Sequence, residues 1–172
     1  MLAESPDVAA AAEGELRYGF RLAGLLLVPA ARVLTELVDD AQVFPVPRGP
    51  AGLAGVINLH GTIVPLFDPA QGAGPRADIR PTRRLALVFD RDEQRAGLLV
   101  DAAPEPVRLL PAAETHRPAG PLAASLRRAW LQVAAPGTAR TLWWEFDHRA
   151  AFALLAAAQP QHNPDAHTQV TA

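Results

Sequence analysis

The chain contains no cysteine and no lysine, and only two serines and one tyrosine. Without cysteine there is no disulfide, no thiolate metal ligand and no thiol nucleophile, which fits a reducing compartment. Without lysine there is no Walker-type phosphate lysine and no Schiff-base amine. All 16 basic residues are arginine, and the abundance of alanine and proline makes GC-rich coding a sufficient cause. Ser5 and Ser125 lie in no GxSxG elbow. No apolar run reaches the ~20 residues of a membrane span. The acidic start, MLAESPDVAA, lacks the basic-then-apolar order of a secretory signal, so none is expected. A net charge of −2 and a pI near 6.2 leave no global basic field for nucleic acid.

What is present is enough apolar material for a core. Of 172 residues, 49% are hydrophobic. A chain of this size buries about 70% of the surface its unfolded form exposes, as one domain or two small interdependent ones. The stretch Gly52 to Asp68, GLAGVINLHGTIVPLFD, organises the rest. Two β-branched apolar runs of strand length flank His60-Gly61, and the glycine can take the positive φ of a tight turn. This reads as a β-hairpin with His60 displayed at its tip and Asp68 at its end.

Other segments follow the same logic. Residues 15–22 alternate apolar and polar, predicting a strand with Leu16, Tyr18, Phe20 and Leu22 on its inner face. Ala23-Gly24 turns the chain into a second strand, Leu25 to Val28. Pro29 to Val33 allows one helical turn. Val33 to Val38 is extended or briefly helical, and Asp39-Asp40 is a turn signal. Phe44 to Pro50 is an extended approach. Pro69 to Pro81 is a surface loop, Leu85–Phe89 and Ala96–Val100 are strands around the charged turn Asp90 to Arg95, and Val107–Leu110 is a further strand. Leu122, Leu126, Ala129, Trp130 and Val133 have spacing that suits a helix, though part of that segment could be strand. Pro136-Gly137 turns the chain. In the strand Thr141 to Phe146, alternation places one of Trp143 and Trp144 in the core and leaves the other exposed or interfacial. Asp147 caps a helix from His148 to about Ala158. Residues 1–14 and 159–172 read as disordered tails around a folded unit at 15–158. The sum is eight to ten short strands, a mainly β chain of small barrels or a sandwich. An apolar strand, a polar turn and a second strand ending in Asp occur at 55–68 and again at 85–101, as two similar half-barrels would produce.

The catalytic candidates are thin. The five histidines are scattered, with no HxxxH or HxH pair on one element, so no metal site is expected. Gly72 and Gly74 lack the lysine and helix start of a phosphate loop. Asp68 and Asp101 each close an apolar strand and could meet in a cleft as an acid–base pair of a small enzyme or ligand-binding barrel. The simpler reading is that each accepts hydrogen bonds from loop N–H groups.

Gly52 to Asp68 resembles the signature of the CheW-like family, where the segment usually reads GVINLRG followed by VVPVIDL. Phe20-Arg21-Leu22 with Leu27-Val28-Pro29 is similar to that family's opening hairpin. Val33 to Glu36, Phe44 to Pro47, the GLLVD of residues 97–101, and Thr141 to Leu155 follow its order. The resemblance implies a mainly β fold of two intertwined five-stranded SH3-like barrels with a C-terminal helix. It also implies a non-catalytic, cytoplasmic adaptor without cofactor, held at receptor arrays on the inner face of the membrane. Its partners would be the regulatory domain of a CheA-like histidine kinase and the cytoplasmic tip of a methyl-accepting chemoreceptor, in chemotaxis or type IV pilus motility. Neither nucleic acid nor membrane insertion is implied. Partner contacts carry over to Leu34, Glu36, Gly55, Val56, Asn58, His60 and Gly61. Leu34 suits the core equally, and both glycines suit turn geometry or close packing. His60 stands where the family usually has arginine, and Pro69 where it has leucine. A degenerate module that binds a single partner or acts as a decoy is the alternative.

Overall fold

A computed structural model describes residues 14–69, 82–90, 93–113, 116–133 and 139–158. The expected tails (but for Gly14), most of the loop after Pro69, Arg91-Asp92 and the Pro136-Gly137 turn lie outside these residues. The chain is mainly β, in two five-stranded sheets. Strands β1 (Glu15–Leu22) and β2 (Leu25–Pro29) open the first. The chain then crosses to build the second from β3 (Thr35–Val43), β4 (Leu53–Leu59), β5 (Thr62–Phe67), β6 (Thr82–Phe89) and β7 (Ala96–Leu99). It returns for β8 (Glu105–Pro111), β9 (Leu126–Gln132) and β10 (Leu142–Phe146), and ends in helix α1 (His148–Ala157). The first sheet closes as a barrel in the order β1-β2-β10-β9-β8. The second runs β3-β6-β7-β5-β4, and its two edges meet at one bridge, where Phe44 and Val56 exchange both N–H···O bonds at 2.8 Å.

Each sheet buries both faces where the two meet. Val28, Val107, Leu109, Trp130 and Trp143 fill the first barrel. Val43, Ile57, Leu59, Val64 and Val88 fill the second. Their opposite faces share a third core, centred on Phe20, Phe89 and Phe146, with ring centroids 5.7–5.9 Å apart. Ala151 and Leu155 of α1 close over it.

This arrangement corrects the expected inner face of β1. Phe20 and Leu22 are buried, but Leu16 and Tyr18 are 56% and 63% exposed. All four share one face, which is the outer face of the barrel, and only its far end is covered by the second sheet. Gly19 and Arg17 face the interior: Gly19 packs against Trp143, and Arg17 lies over the Trp130 ring at 5.3 Å and donates to the Pro29 carbonyl. Both tryptophans of the Trp143-Trp144 pair are buried, Trp143 inside the barrel and Trp144 in the shared core, because both faces of β10 are covered.

Three local readings also change. The helical spacing of residues 122–133 belongs to a short 3₁₀ turn (Ala123–Ser125) followed by β9. The ladder pairs Leu126 with Phe146 and Ala129 with Trp144, so a β-bulge at Arg127-Arg128 breaks the two-residue period and imitates a helical one. Asp39-Asp40 lies within β3, at another register shift, with Asp40 at φ 58°. Of the residues read as a helical turn, Pro29 ends β2 and residues 30–33 form a turn, with Arg32 at φ 68°. The repeated strand–turn–strand pattern is two hairpins of one sheet, joined by parallel pairing of β5 with β7, and not one per barrel.

Gly55 is required by the bridge. Its φ is +155°, and a Cβ there would lie 2.3 Å from the Phe44 carbonyl oxygen. Gly55→Ala is expected to cost about 3 kcal/mol or more through backbone strain and overpacking, read as a lower urea midpoint at unchanged m value.

Candidate interaction surface at the hairpin tip

Strands β4 and β5 pair from Leu53 to Phe67, and Leu59 faces Thr62 across a two-residue turn. His60 and Gly61 have φ of 50° and 83°, the positive values a primed hairpin turn needs at both central positions. Glycine takes this conformation freely, and histidine is among the few other residues enriched there. Asn58 Oδ1 accepts the Gly61 N–H at 2.9 Å and stiffens the tip. The turn displays the His60 side chain, 73% exposed, with Nε2 2.8 Å from Glu36 Oε1. Protonated, the ring makes an ion pair; neutral with its proton on Nε2, it donates a hydrogen bond to the same carboxylate. The contact ties the start of β3 to the far end of β4, the two edges of the second sheet.

Of the residues expected to contact partners, Glu36, Asn58, His60 and Gly61 come together here. Leu34 lies two positions ahead of Glu36 and is exposed, as are Leu37 and Ile63 nearby in the chain. Their hydrophobicity gave no sign of exposure in the sequence. Gly55 and Val56 lie lower in the ladder and hold the sheet closed.

The carboxylates of the alternative reading are held separately. Asp68 is buried and ion-paired with Arg84 at 3.4 Å, and its amide donates to the Gly52 carbonyl. Asp101 is exposed, with its amide bonded to the Arg21 carbonyl. Neither acid lines either of two surface cavities of about 450 and about 100 Å³. Among the described residues there is no group of three or more His, Asp or Glu able to hold a metal ion, and no helix long and apolar enough to cross a membrane.

A clamp that sequence reading missed supports the surface from behind. Asp90, at φ 64°, accepts from buried His148 Nε2 at 2.8 Å and from Arg149 Nη2 at 3.2 Å, while its amide donates to the Leu34 carbonyl. The His148 ring stacks on Phe89. Burial opposes ionisation of Asp90, but the hydrogen bonds and charges of His148 and Arg149 outweigh it and hold the carboxyl below its ordinary value. Asp147 caps α1 by accepting the Ala150 N–H at 3.0 Å. That bond, against an opposing desolvation and with help from Arg127 and His148, lowers its pKa as well.

A molecule that folds two sheets around one shared core, with a hairpin tip as its candidate site in place of a lined cleft, is a two-barrel β module. The model of the CheW-like domain matches residues 18–128, well over half of the sequence, and the chain belongs to that family. The chemotaxis protein CheW of Rhizobium meliloti (strain 1021) is 38% identical over 58 residues, 34% of this chain and 37% of that protein. The match thus spans little more than a third of that curated relative. The crystal structure of the scaffolding protein TtCheW from Thermoanaerobacter tengcongensis superposes with a TM-score of 0.54 at 21% identity, covering 86% of this chain and 89% of that one. It supports the fold.

The two lowered carboxyls define an acid response. A carboxyl with a folded pKa below its unfolded one adds stability that is complete above the ordinary value of 3.8 and is lost as pH falls through the folded value. The stability advantage of the native chain over Asp90→Asn, measured by urea unfolding, is therefore expected to be full at neutral pH and to shrink below about pH 4. An advantage constant down to about pH 3 would remove the clamp from the account.

Proposed function

We propose that the chain is a non-catalytic adaptor that couples chemoreceptors to a CheA-like histidine kinase. The observation that carries this reading is family membership together with a signature hairpin whose polar tip is displayed, with Leu34 two positions before Glu36 and Ile63 opposite Asn58 both exposed. A surface of this kind, apolar positions around a polar pair, suits docking to another folded protein. The kinase regulatory domain and the receptor tip are the partners the resemblance implies. Leu34, Glu36, Asn58, His60 and Gly61 are the contact residues, with Gly55 and Val56 supporting them. The protein would act in the cytoplasm at receptor arrays, with flagella or pili as output.

Binding to the kinase regulatory domain tests the reading directly. Association of the folded protein is expected at or below roughly tens of micromolar, about −6 kcal/mol or better, and its absence with a folded protein would sink the proposal.

Position 60 tests the second reading, a module reduced to one partner. Its motive is histidine in place of the usual arginine. His60 still reaches Glu36, but arginine would add a permanent charge and further donors. His60→Arg is expected to tighten receptor-tip binding by about 1 kcal/mol, roughly fivefold, as befits a partly exposed ion pair. Calorimetry showing unchanged affinity would place position 60 outside the contact.

A further inference from the structure

The β9 bulge presents a second surface, far from the hairpin in the sheet topology. In a regular strand Arg127 and Arg128 would point to opposite faces. Here β9 places both opposite Glu145 alone, between the pairs Leu126–Phe146 and Ala129–Trp144, and both side chains are exposed. They line one cavity of about 450 Å³ with Arg117, over a floor that includes Ala112, Ala129 and Trp144. A chain of net charge −2 thus gathers three guanidinium groups at one hollow.

The three are positioned by the protein. Arg127 binds Asp147 Oδ2 through Nη2 at 2.6 Å and Nε at 3.2 Å. Arg128 lies over the Trp130 ring at 4.6 Å, and Arg117 donates to the Arg127 carbonyl at 3.4 Å. Among the described residues, Arg117 and Arg128 have no carboxylate partner. Arginine fixed in this way offers planar, multi-donor recognition of carboxylates at a reduced entropic cost. Beyond Ala129, the next position on the same face of β9 is Leu131, which pairs with Leu110 on one side and Leu142 on the other. Leu110 and Leu131 are half-buried and Leu142 is 37% exposed. The basic hollow therefore continues into an apolar row.

We propose that this surface docks an acidic, amphipathic segment of a partner protein, its carboxylates on Arg117 and Arg128, beside the Arg127–Asp147 pair, and its apolar side chains on Leu110, Leu131 and Leu142. A free phosphate or nucleotide fits less well. The floor is apolar, no glycine-rich loop among the described residues contributes backbone N–H groups, and the nearby N-terminus of α1 is already capped by Asp147. The inference stands apart from the adaptor reading, because the hollow is built on the first barrel and its test uses neither kinase nor receptor.

The test is an NMR titration of the full chain with a short synthetic peptide of repeated Glu-Leu pairs, its Lys-Leu counterpart, inorganic phosphate and pyrophosphate. The Glu-Leu peptide is expected to shift the amides of Arg117 and residues 127–131, with weaker binding at high salt. Arg128→Glu and Arg117→Glu are each expected to weaken it about tenfold at unchanged circular dichroism, and the milder Arg128→Gln about threefold should either charge reversal unfold. Four results would overturn the proposal: shifts absent or located elsewhere, equal binding of the Lys-Leu peptide, the same shifts from phosphate at lower concentration, or the same shifts from raising the protein concentration alone, which would assign the face to a second copy.

Discussion

Three phenylalanine rings hold this molecule together. Phe20 comes from β1, Phe146 from β10 and Phe89 from β6, so two belong to the closed barrel and one to the second sheet. Each is at most 1% exposed. A fully buried aromatic of this kind is worth roughly 1.5–3 kcal/mol of transfer free energy, with about 0.5–1.5 kcal/mol more for each well-placed ring pair. Neither sheet could leave its contact face in water, so neither barrel is a free-standing unit. His148 extends the cluster by stacking on Phe89, and through Asp90 the same cluster reaches the backbone of Leu34. The candidate docking surface thus rests on the junction between the barrels.

The shared core also explains which parts of the fold were legible in the sequence. Alternation identified the strands well, because it is a local property. It does not say which alternating face a barrel fills and which it turns outward, and Leu16 and Tyr18, apolar by pattern, lie on the outward face. That assignment depends on where the second sheet ends, which is set by residues far along the chain, Leu53, Phe67 and Phe89 among them. Trp143 and Trp144 failed for the complementary reason. A strand covered on both sides has no polar face, and adjacent large residues then carry no information on direction. The β9 bulge is the clearest instance of local ambiguity, since inserting one residue into a period of two yields the spacing of a helix.

The hairpin tip was legible because turn chemistry is written in adjacent residues. His60-Gly61 between two β-branched runs leaves few alternatives. The partner of His60 was not, since Glu36 lies 24 residues earlier and meets it only because β3 and β4 are the two edges of one curved sheet. The arginine hollow was invisible for a similar reason. Arg117 and the Arg127-Arg128 pair are ordinary surface residues in sequence, and only the return of β10 beneath them makes a concave site.

The connection order has a consequence for how the protein assembles. The second sheet is made from one continuous stretch, β3 through β7, so all its strands are present once that stretch has emerged. The closed barrel is made from both ends of the described chain, and β2 pairs in parallel with β10, the last strand. During synthesis, β1 and β2 must therefore wait as an unclosed hairpin, with Phe20, Leu22 and Leu27 lacking their partners on β10, until nearly the whole sequence is available. Since neither barrel stands alone, the shared core forms as that hairpin packs on the second sheet and β10 closes the first barrel.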